Sequence, residues 1–433
     1  MTSYEEAVRY ILDIPRFAGK SGIENLRKYL EFLGSPEKKL NAVHIAGTNG
    51  KGSVTEMLAS VLREAGYVVG TFISPHLEKI NERISIDGEL ISDEDFLNCF
   101  EKVKNVYEEH KREIEHLSFF EYIFAMAAVY FAEKNPEFCI LETGLGGRLD
   151  ATNVVSPVLN IITSIGMDHM QYLGNTITEI AGEKAGIITS KVPLVYNTGD
   201  VEADQVIVSK AKEMGVTRML DAGKFKVSIK QDSLDKIDFS VENEYNYEDL
   251  LVMSPAIYQT RNAATVIAAT ETLLKDMDPD KRAGIIRRGI KNFSWPARME
   301  FVKKNLVIDG AHNENAAKYF VETALKICEK GPWKTKAILF AVSADKDYDS
   351  VARIIAEAFK PDKVYITSFN SDRTLDTGSI KDTFEKYVDS KSIEVFGKTD
   401  DAVEMLKKLS DDEIVFSVGS LYLAGELREK LGL

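Results

Sequence analysis

The chain has little cysteine and no long apolar run. Its three cysteines are far apart and set among apolar neighbours, which predicts buried thiols in a reducing compartment and argues against a disulfide framework or a zinc site. No run of about 18 apolar residues occurs, and the N-terminus lacks a basic stretch followed by an apolar one. We therefore expect a cytoplasmic protein that does not bind a membrane.

Basic residues are outnumbered by acidic ones. The formal net charge is -14, and no block of lysine or arginine stands out. The average field of such a protein repels a phosphate backbone, so nucleic acid is not an expected partner.

Short apolar runs rich in β-branched residues alternate with segments of helical periodicity. Examples are "NAVHIAG", "FCILETG" and "LNIITSIG" in the first half and "KAILFAVS" and "EIVFSVG" in the second. This alternation is typical of parallel sheets covered by helices and predicts an α/β fold. With 433 residues, the chain exceeds the usual size of one hydrophobic core, so we expect two domains or three.

A break in this pattern at "FSWPARME" predicts a domain boundary. Pro296 lacks an amide hydrogen and moves the residue before it out of helical geometry. We expect two doubly wound domains, residues 1–295 and a smaller, Rossmann-like domain at residues 296–433. Within the first domain, short alternation over residues 224–252 predicts an antiparallel flap.

The stretch "VHIAGTNGKGSV", residues 43–54, places a glycine-rich turn with one lysine between an apolar strand and a helix. Such a turn offers amide hydrogens and the positive end of the helix dipole to an anion, and Lys51 can reach the outer phosphates of a nucleotide. The spacing is shorter than in the common phosphate loop, so the magnesium-binding hydroxyl must come from Ser53 or from elsewhere. A tight turn with an incidental lysine is the alternative. The predicted phosphate-binding residues are Gly47, Thr48, Asn49, Gly50, Lys51, Gly52 and Ser53.

Seven motifs together resemble one protein family. They are "GTNGKGS", "SPHLEKINERI", "LETGLGGRLDATN", "GMDHMQYLGNTITEIAGEKAGI", "WPARME", "DGAHN" and "GSLYLAGE". In this order, they resemble the folylpolyglutamate synthases and bifunctional dihydrofolate synthases, which belong to the ATP-dependent Mur-type ligases. The resemblance covers nearly the whole chain. It implies a phosphate-loop ATPase domain of the Mur ligase central type at residues 1–295 and a glutamate ligase domain at residues 296–433.

The resemblance implies a ligase whose substrates are L-glutamate and a folate or pterin, and we expect a monomer. ATP would phosphorylate a carboxylate of tetrahydrofolate or dihydropteroate, and the amine of glutamate would then displace phosphate to form an amide. Phosphoryl transfer needs positioning and charge neutralisation, which the glycine loop, Lys51 and magnesium supply. Because water destroys an acyl phosphate, we expect a cleft that closes between the two domains.

Two magnesium sites are expected. Glu142 and His169 each follow an apolar strand, where catalytic groups of such sheets lie. The resemblance assigns Ser74 and Glu142 to one magnesium ion, and Glu142 with His169 to a second. Magnesium keeps several waters, so few protein ligands are needed. The alternatives are a solvated carboxylate at Glu142 and a packed loop histidine at His169.

Lys184 falls on the apolar stripe of a helix, with Ile177, Ile180 and Ala181. A buried ammonium is costly, so part of the population is a neutral amine that can react with carbon dioxide. The resemblance implies a carbamylated lysine at this position, close to the metal. A lysine that extends to the surface is the alternative.

Four further residues are assigned by resemblance. Asn262 would contact adenine, although an asparagine near a helix start can also be a helix cap. Arg298 and Asp309 would meet the nucleotide from the second domain. His312 would lie near the reaction centre and orient glutamate or assist its deprotonation.

Less specific signals concern the two substrates. Phe119, Phe120 and Glu121, with the loop after Pro75, are candidates for pterin contacts. Ser417 and Ser420 are candidates for holding a carboxylate of glutamate.

Two other functions fit parts of the sequence. One is a Mur-type amide ligase with a non-folate substrate, against which "SPHLEKINERI" and "LGGRLDATN" argue. The other is a nucleotide-binding regulatory protein without chemistry, against which the presence of all the candidate catalytic residues argues.

Overall fold

The structure is a computed structural model that describes residues 2–15, 22–371 and 373–433. Its contacts group the chain into two units. The first comprises the described residues up to 165 together with 173–225 and 262–290. The second comprises residues 166–172, 226–261 and 291–433.

An eight-stranded sheet forms the centre of the first unit. Its strands are β1 (Ala42–Ala46), β2 (Val69–Phe72), β3 (Ile84–Ile86), β4 (Glu89–Leu90), β5 (Phe138–Glu142), β6 (Pro157–Ile162), β7 (Leu194–Tyr196) and β8 (Met219–Asp221). The order is β4-β3-β2-β5-β1-β6-β7-β8, parallel from β2 to β8, with β3 and β4 antiparallel at one edge. Strands covered on both faces read as continuous apolar runs, as "AVHIA" and "FCILE" do.

Among the described residues up to 292, the chain forms ten α-helices. They are α1 (Tyr4–Asp13), α2 (Gly22–Phe32), α3 (Lys51–Glu64), α4 (Asp93–His110), α5 (Phe119–Lys134), α6 (Met170–Leu173), α7 (Ile177–Ala185), α8 (Val201–Glu213), α9 (Tyr258–Leu273) and α10 (Pro279–Asn292). Helix α5 is apolar on nearly all sides and is buried along most of its length, as expected for a core helix. Most of α6 and the first turn of α9 belong to the second unit.

A six-stranded sheet forms the centre of the second unit. Its strands are β12 (Glu300–Lys303), β13 (Leu306–Ile308), β14 (Thr335–Phe340), β15 (Lys363–Ile366), β16 (Ile393–Val395) and β17 (Glu413–Val418). The order is β12-β13-β17-β14-β15-β16, and only the edge strand β12 is antiparallel. The helices are α11 (Glu314–Lys330), α12 (Tyr348–Ile354), α13 (Thr377–Phe384), α14 (Thr399–Leu406) and α15 (Leu421–Leu431).

The second unit also contains a small antiparallel sheet. Strands β9 (Lys226–Asp232), β10 (Ile237–Glu242) and β11 (Asn246–Val252) form it, with β10 in the middle. The antiparallel flap predicted from the short alternation is therefore present. Its contacts group it with the residues after 291.

The sequence predicts buried thiols at the three cysteines and no segment that crosses a membrane. Cys99 and Cys139 are buried free thiols, and Cys328 is half-buried. Among the described residues, the helices are all too short or too polar to cross a membrane.

The sheet order decides which loops meet. In the first unit β2, β5, β1 and β6 are neighbours, so the segments that leave their carboxyl ends lie side by side. In the second unit β13, β17 and β14 are neighbours, and the same holds for Asp309, Ser420 and residues 341–347. In each unit, candidate residues thus lie together at the carboxyl ends of the central strands of its own sheet.

Candidate active site

The glycine loop lies against the end of β6. The Thr48 amide donates to the Ser164 carbonyl at 2.7 Å, and the Thr163 hydroxyl donates to the Asn49 carbonyl at 2.8 Å. A Cβ on Gly47 would lie 1.9 Å from Thr163 Oγ1, so no side chain fits there. Gly50 has a φ of 86° and directly precedes α3, a conformation that favours glycine. Helix α3 begins at Lys51, so the first-turn amides of Lys51, Gly52 and Ser53 lie at its N-terminus, where an anion is stabilised.

Lys51 is held by the loop that it belongs to. Its Nζ donates to the carbonyls of Gly47 at 3.1 Å and of Thr48 at 3.4 Å. The same ammonium lies 3.8 Å from Glu142 Oε1, and the two side chains are 15% and 4% exposed. A cation in this position faces the place where the helix dipole stabilises negative charge.

Glu142 and Ser74 are neighbours at the ends of β5 and β2. The Ser74 amide donates to Glu142 Oε2 at 3.2 Å. A buried carboxylate beside a hydroxyl-bearing residue is a donor set that suits magnesium, which prefers oxygen and retains waters. Among the described residues, no group of three His, Cys, Asp or Glu side chains is arranged to hold a metal.

Lys184 lies on the buried face of α7. Its side chain is 3% exposed, which excludes the surface lysine that the sequence left open. Its Nζ donates to the Gly47 carbonyl at 2.8 Å, the oxygen that Lys51 also uses. The two ammonium groups are therefore at most about 6 Å apart, a range in which like charges repel appreciably.

Asn262 lies over the glycine loop. A Cβ on Gly50 would be 2.8 Å from Asn262 Oδ1. Helix α9 begins at Tyr258, so Asn262 is inside the helix and is not its cap. The amide is thus next to the loop in which nucleotide binding is expected.

In the second unit, Asp309 is buried and its oxygens are used within the protein. Oδ2 accepts from the Met299 amide at 2.9 Å and from the Tyr258 hydroxyl at 3.3 Å, and Oδ1 accepts from the Ala311 amide at 2.8 Å. Burial raises the pKa of Asp309, while the nearby Arg298 and these hydrogen bonds act in the opposite direction. Arg298 Nη1 donates to the Ala297 carbonyl at 2.9 Å, and the charge of this guanidinium acts on Asp309, which follows β13.

Five side chains from three separate segments form what we call the Asp168 cluster: Asp168, His169, His312, Asn313 and Lys346. Asp168 Oδ1 accepts from Lys346 Nζ at 2.8 Å and from the His169 amide at 2.8 Å. Its Oδ2 accepts from Asn313 Nδ2 at 3.0 Å and lies 3.9 Å from His312 Nε2. Burial opposes the ionisation of Asp168, but the charge and the hydrogen bond of Lys346 hold its pKa well below the usual range.

Both histidines of this cluster have a defined environment. Lys346 Nζ lies 3.0 Å from His169 Nε2, and because an ammonium only donates, this nitrogen is the acceptor. His169 has a φ of 50°, which is unusual for a residue with a side chain. His312 Nδ1 bonds to the Gly310 carbonyl at 2.7 Å, and burial together with the Lys346 charge lowers the pKa of His312 to about 3. His312 is therefore neutral at ordinary pH.

The candidates for pterin and glutamate contacts differ in burial and in the bonds that they make. Phe119 is buried, and Glu121 accepts from the Ser118 amide and hydroxyl in the cap of α5. Phe120 is half-buried, and its ring lies so close to Gly144 that a Cβ there would be 2.7 Å from it. Ser420 accepts from the Tyr422 amide as the cap of α15, whereas Ser417 is buried inside β17.

Sequence reasoning missed Asp168, Asn313 and Lys346. Asp168 and Asn313 lie in the motifs "GMDHM" and "DGAHN", next to the predicted site residues His169 and His312. Lys346 lies in "SADKD", in the loop that follows β14, and its place beyond the carboxyl end of a strand is the signal that the sequence offers for it.

Comparison with known proteins matches two family models. Residues 45–270 match the Mur ligase middle domain, and residues 297–421 match the Mur ligase glutamate ligase domain. The dihydrofolate synthase/folylpolyglutamate synthase of Bacillus subtilis is 37% identical over 99% of both chains. The crystal structure of a folylpolyglutamate synthase from Thermotoga maritima is 33% identical, with a TM-score of 0.82 over 99% of this chain and 96% of that one. The Mycobacterium tuberculosis folylpolyglutamate synthase complexed with ADP and AMPPCP has 26% identity and a TM-score of 0.89, over 99% and 98% of the two chains.

Proposed function

The chain belongs to the folylpolyglutamate and dihydrofolate synthase family of Mur ligases, and we propose that it joins L-glutamate to a folate in an ATP-dependent reaction. The observation that carries this proposal is the glycine loop in front of α3, with Lys51 3.8 Å from the buried Glu142. Loop amides, a helix N-terminus and an ammonium are what a transferring phosphoryl group requires.

The reaction has two steps. A carboxylate oxygen of the folate attacks the γ-phosphorus of ATP, and the bond to ADP breaks. The amine of glutamate then attacks the carbonyl carbon of the acyl phosphate, phosphate leaves, and the amine loses a proton. Residues 47–53 would bind the phosphates, Lys51 would neutralise their charge, and Asn262 would contact the adenine.

Magnesium is part of the proposal. Ser74 and Glu142 would hold one ion, and the oxygen donors of this pair suit it. Bound magnesium would neutralise charge on the phosphates. His169 remains a proposed ligand of a second ion.

We propose that Lys184 is carbamylated. Its neutral amine would attack carbon dioxide, forming a nitrogen–carbon bond and releasing a proton, so that a cation becomes an anion. Two ammonium groups share the Gly47 carbonyl, and this conversion removes their repulsion. Intact mass measured under native conditions with bicarbonate should show the adduct, and small carboxylates should partly restore Lys184→Ala. An unmodified Lys184 under these conditions would contradict the proposal.

The remaining assignments concern glutamate and the nucleotide. Arg298 and Asp309 are proposed nucleotide-binding residues, and His312, held neutral, is proposed to orient glutamate or take a proton from its amine. Residues 1–295 are the proposed ATP-binding domain and residues 296–433 the proposed glutamate ligase domain. We propose a cytoplasmic monomer that binds neither nucleic acid nor membrane.

The test is incorporation of labelled glutamate in the presence of ATP, with tetrahydrofolate and dihydropteroate compared as acceptors. We expect incorporation into both, because the residues that bind the phosphates and the metal act in the same way on either carboxyl group. Extension of tetrahydrofolate alone would restrict the enzyme to folylpolyglutamate synthesis. Glutamate-dependent phosphate release only with a non-folate carboxylate, found in a substrate screen, would point to a different Mur-type ligase. No phosphate release with any acceptor would favour a regulatory protein.

A further inference from the structure

The loop that follows Glu142 meets the helix that carries Lys184 at their backbones. A Cβ on Gly147 would lie 2.9 Å from the Glu183 carbonyl oxygen and 3.0 Å from the Lys184 carbonyl oxygen. Side chains can rotate away from such a contact, but backbone atoms cannot. Any residue larger than glycine at position 147 must therefore move the loop or the end of α7.

The contact is reciprocal. A Cβ on Gly186, just after α7, would lie 2.3 Å from Arg148 Cβ and 2.5 Å from Arg148 Cα. Each segment thus places a glycine where the other comes closest. We call Gly147, Arg148, Glu183 and Gly186 the glycine interlock.

Directed bonds fix the register of the interlock. The Arg148 amide donates to the Glu183 carbonyl at 2.9 Å, and the Arg148 guanidinium lies 2.8 Å from the Glu183 carboxylate. Asn153 Nδ2 donates to the carbonyls of Gly186 at 3.1 Å and Arg148 at 3.2 Å. The two segments therefore cannot slide past each other without breaking several bonds.

In the sequence, Lys184 lies between Glu183 and Gly186 of the glycine interlock. Its ammonium is 2.8 Å from the Gly47 carbonyl, so a small displacement of the last turn of α7 removes that bond. We propose that Gly147 and Gly186 are positioning residues that set where Lys184 meets the phosphate loop. This inference rests on the proposed function of Lys184.

The experiment compares Gly147→Ala and Gly186→Ala with Gly182→Ala. Gly182 is in the same helix, and a Cβ there meets nothing within 4 Å, so it is the matched control. In Gly147→Ala and Gly186→Ala, we expect turnover to fall about tenfold or more when it is calculated per molecule that binds ADP. Displacements of about 1 Å at a reacting group have effects of this size. The KM for ATP should stay within about twofold, since Lys51 and the loop amides are unchanged, and Gly182→Ala should behave like wild type.

A second readout separates positioning from general damage. Added bicarbonate should raise the turnover of Gly147→Ala several-fold but leave wild type and Gly182→Ala unchanged, because a displaced amine holds its carbamate less well and responds to mass action. Asn153→Ala should show the same pattern more weakly and serves if the glycine variants do not fold. Equal turnover in all variants, or a loss matched by lost ADP sites without a bicarbonate response, would overturn the proposal.

A third readout does not depend on the ligase reaction. Acetylation of Lys184 by acetic anhydride, followed by peptide mass spectrometry, should be about fivefold faster in Gly147→Ala than in Gly182→Ala, because a side chain that leaves its buried bond becomes reachable. Equal rates would count against the interlock. Failure of wild type to incorporate glutamate, with this difference in rates intact, would overturn the proposed function alone.

Discussion

The phosphate-loop region of the first unit and the Asp168 cluster of the second handle charge in opposite ways. In the first, Lys51 and Lys184 donate to one backbone carbonyl, and Lys51 also lies 3.8 Å from the buried carboxylate of Glu142. In the second, a single carboxylate receives bonds from Lys346, Asn313 and the His169 amide. The first region presents the Lys51 ammonium and the N-terminus of α3 to an anion, while in the second the charge of Asp168 is matched by that of Lys346. Substitutions should therefore remove binding or chemistry in the first and disturb geometry in the second.

The largest effect is expected for Lys51→Ala. The side chain contacts loop carbonyls and Glu142, and its removal takes away the cation in front of α3 while the loop stays supported by Thr163 and Ser164. Turnover should fall about a thousandfold or more, with an unchanged melting temperature. Labelled glutamate incorporation and a thermal melt measure the two quantities, with Lys102→Ala on the surface as the control. Turnover like that of wild type would refute the phosphate-binding role of the loop.

A second, smaller effect is expected for Asp168→Asn. An amide cannot accept at both of its ends, so one of the donors around residue 168 loses its partner. His169 is then less firmly held in its positive-φ conformation. We expect turnover to fall about a hundredfold with little change in nucleotide affinity. Titration with ADP and steady-state kinetics separate the two, and Asp235→Asn, at an exposed turn, is the control. A hundredfold loss of ADP affinity instead would mean that the cluster binds the nucleotide.

The two regions also differ in how far the sequence predicts them. The phosphate loop is contiguous, and its glycines, lysine and flanking strand and helix are visible in one stretch of 12 letters, residues 43–54. Lys184 was predictable because helical periodicity places it on a buried stripe, and it is buried. The sharing of the Gly47 carbonyl was not predictable, because it depends on how α7 packs against a loop 137 residues earlier in the chain.

The Asp168 cluster was accessible only in part. The pattern of strands and helices predicted the α/β fold, the end of a strand indicated His169, and the family resemblance indicated His312. Lys346 lies 178 residues from Asp168, and no local pattern links a lysine in one loop to an aspartate in another. Asp309 differs again: resemblance assigns it to the nucleotide, and its oxygens accept from Met299, Ala311 and Tyr258.

Lys346 allows a finer test of the Asp168 cluster. Lys346→Met keeps most of the volume but removes the donor to Asp168 and His169, and turnover should fall about tenfold. Lys346→Arg retains the charge and should recover part of the loss, although its fork cannot reproduce the position of one ammonium. Steady-state kinetics of the two variants side by side provide the measurement. Equal activity of Met and Arg variants would show that the charge of Lys346 does not matter.

The smallest effect is a pH dependence of stability in the first unit that does not involve its catalytic groups. His44 lies in β1, and its Nε2 is 2.8 Å from Thr152 Oγ1, which in turn donates to Asp150. Burial lowers the pKa of His44 from 6.5 to about 3.

Between pH 6.5 and 3 the unfolded chain therefore binds a proton at His44 that the folded chain does not, and stability falls as the pH falls through this window. From pH 7 to pH 5 the contribution is about 2 kcal/mol. Gln at this position keeps a donor for Thr152 and does not titrate, so His44→Gln should lose less melting temperature than wild type over this interval. His110→Gln, on the outer helix α4, is the control. Parallel curves for wild type and His44→Gln would mean that His44 does not gain a proton on unfolding, and the neutral buried histidine would have to be abandoned.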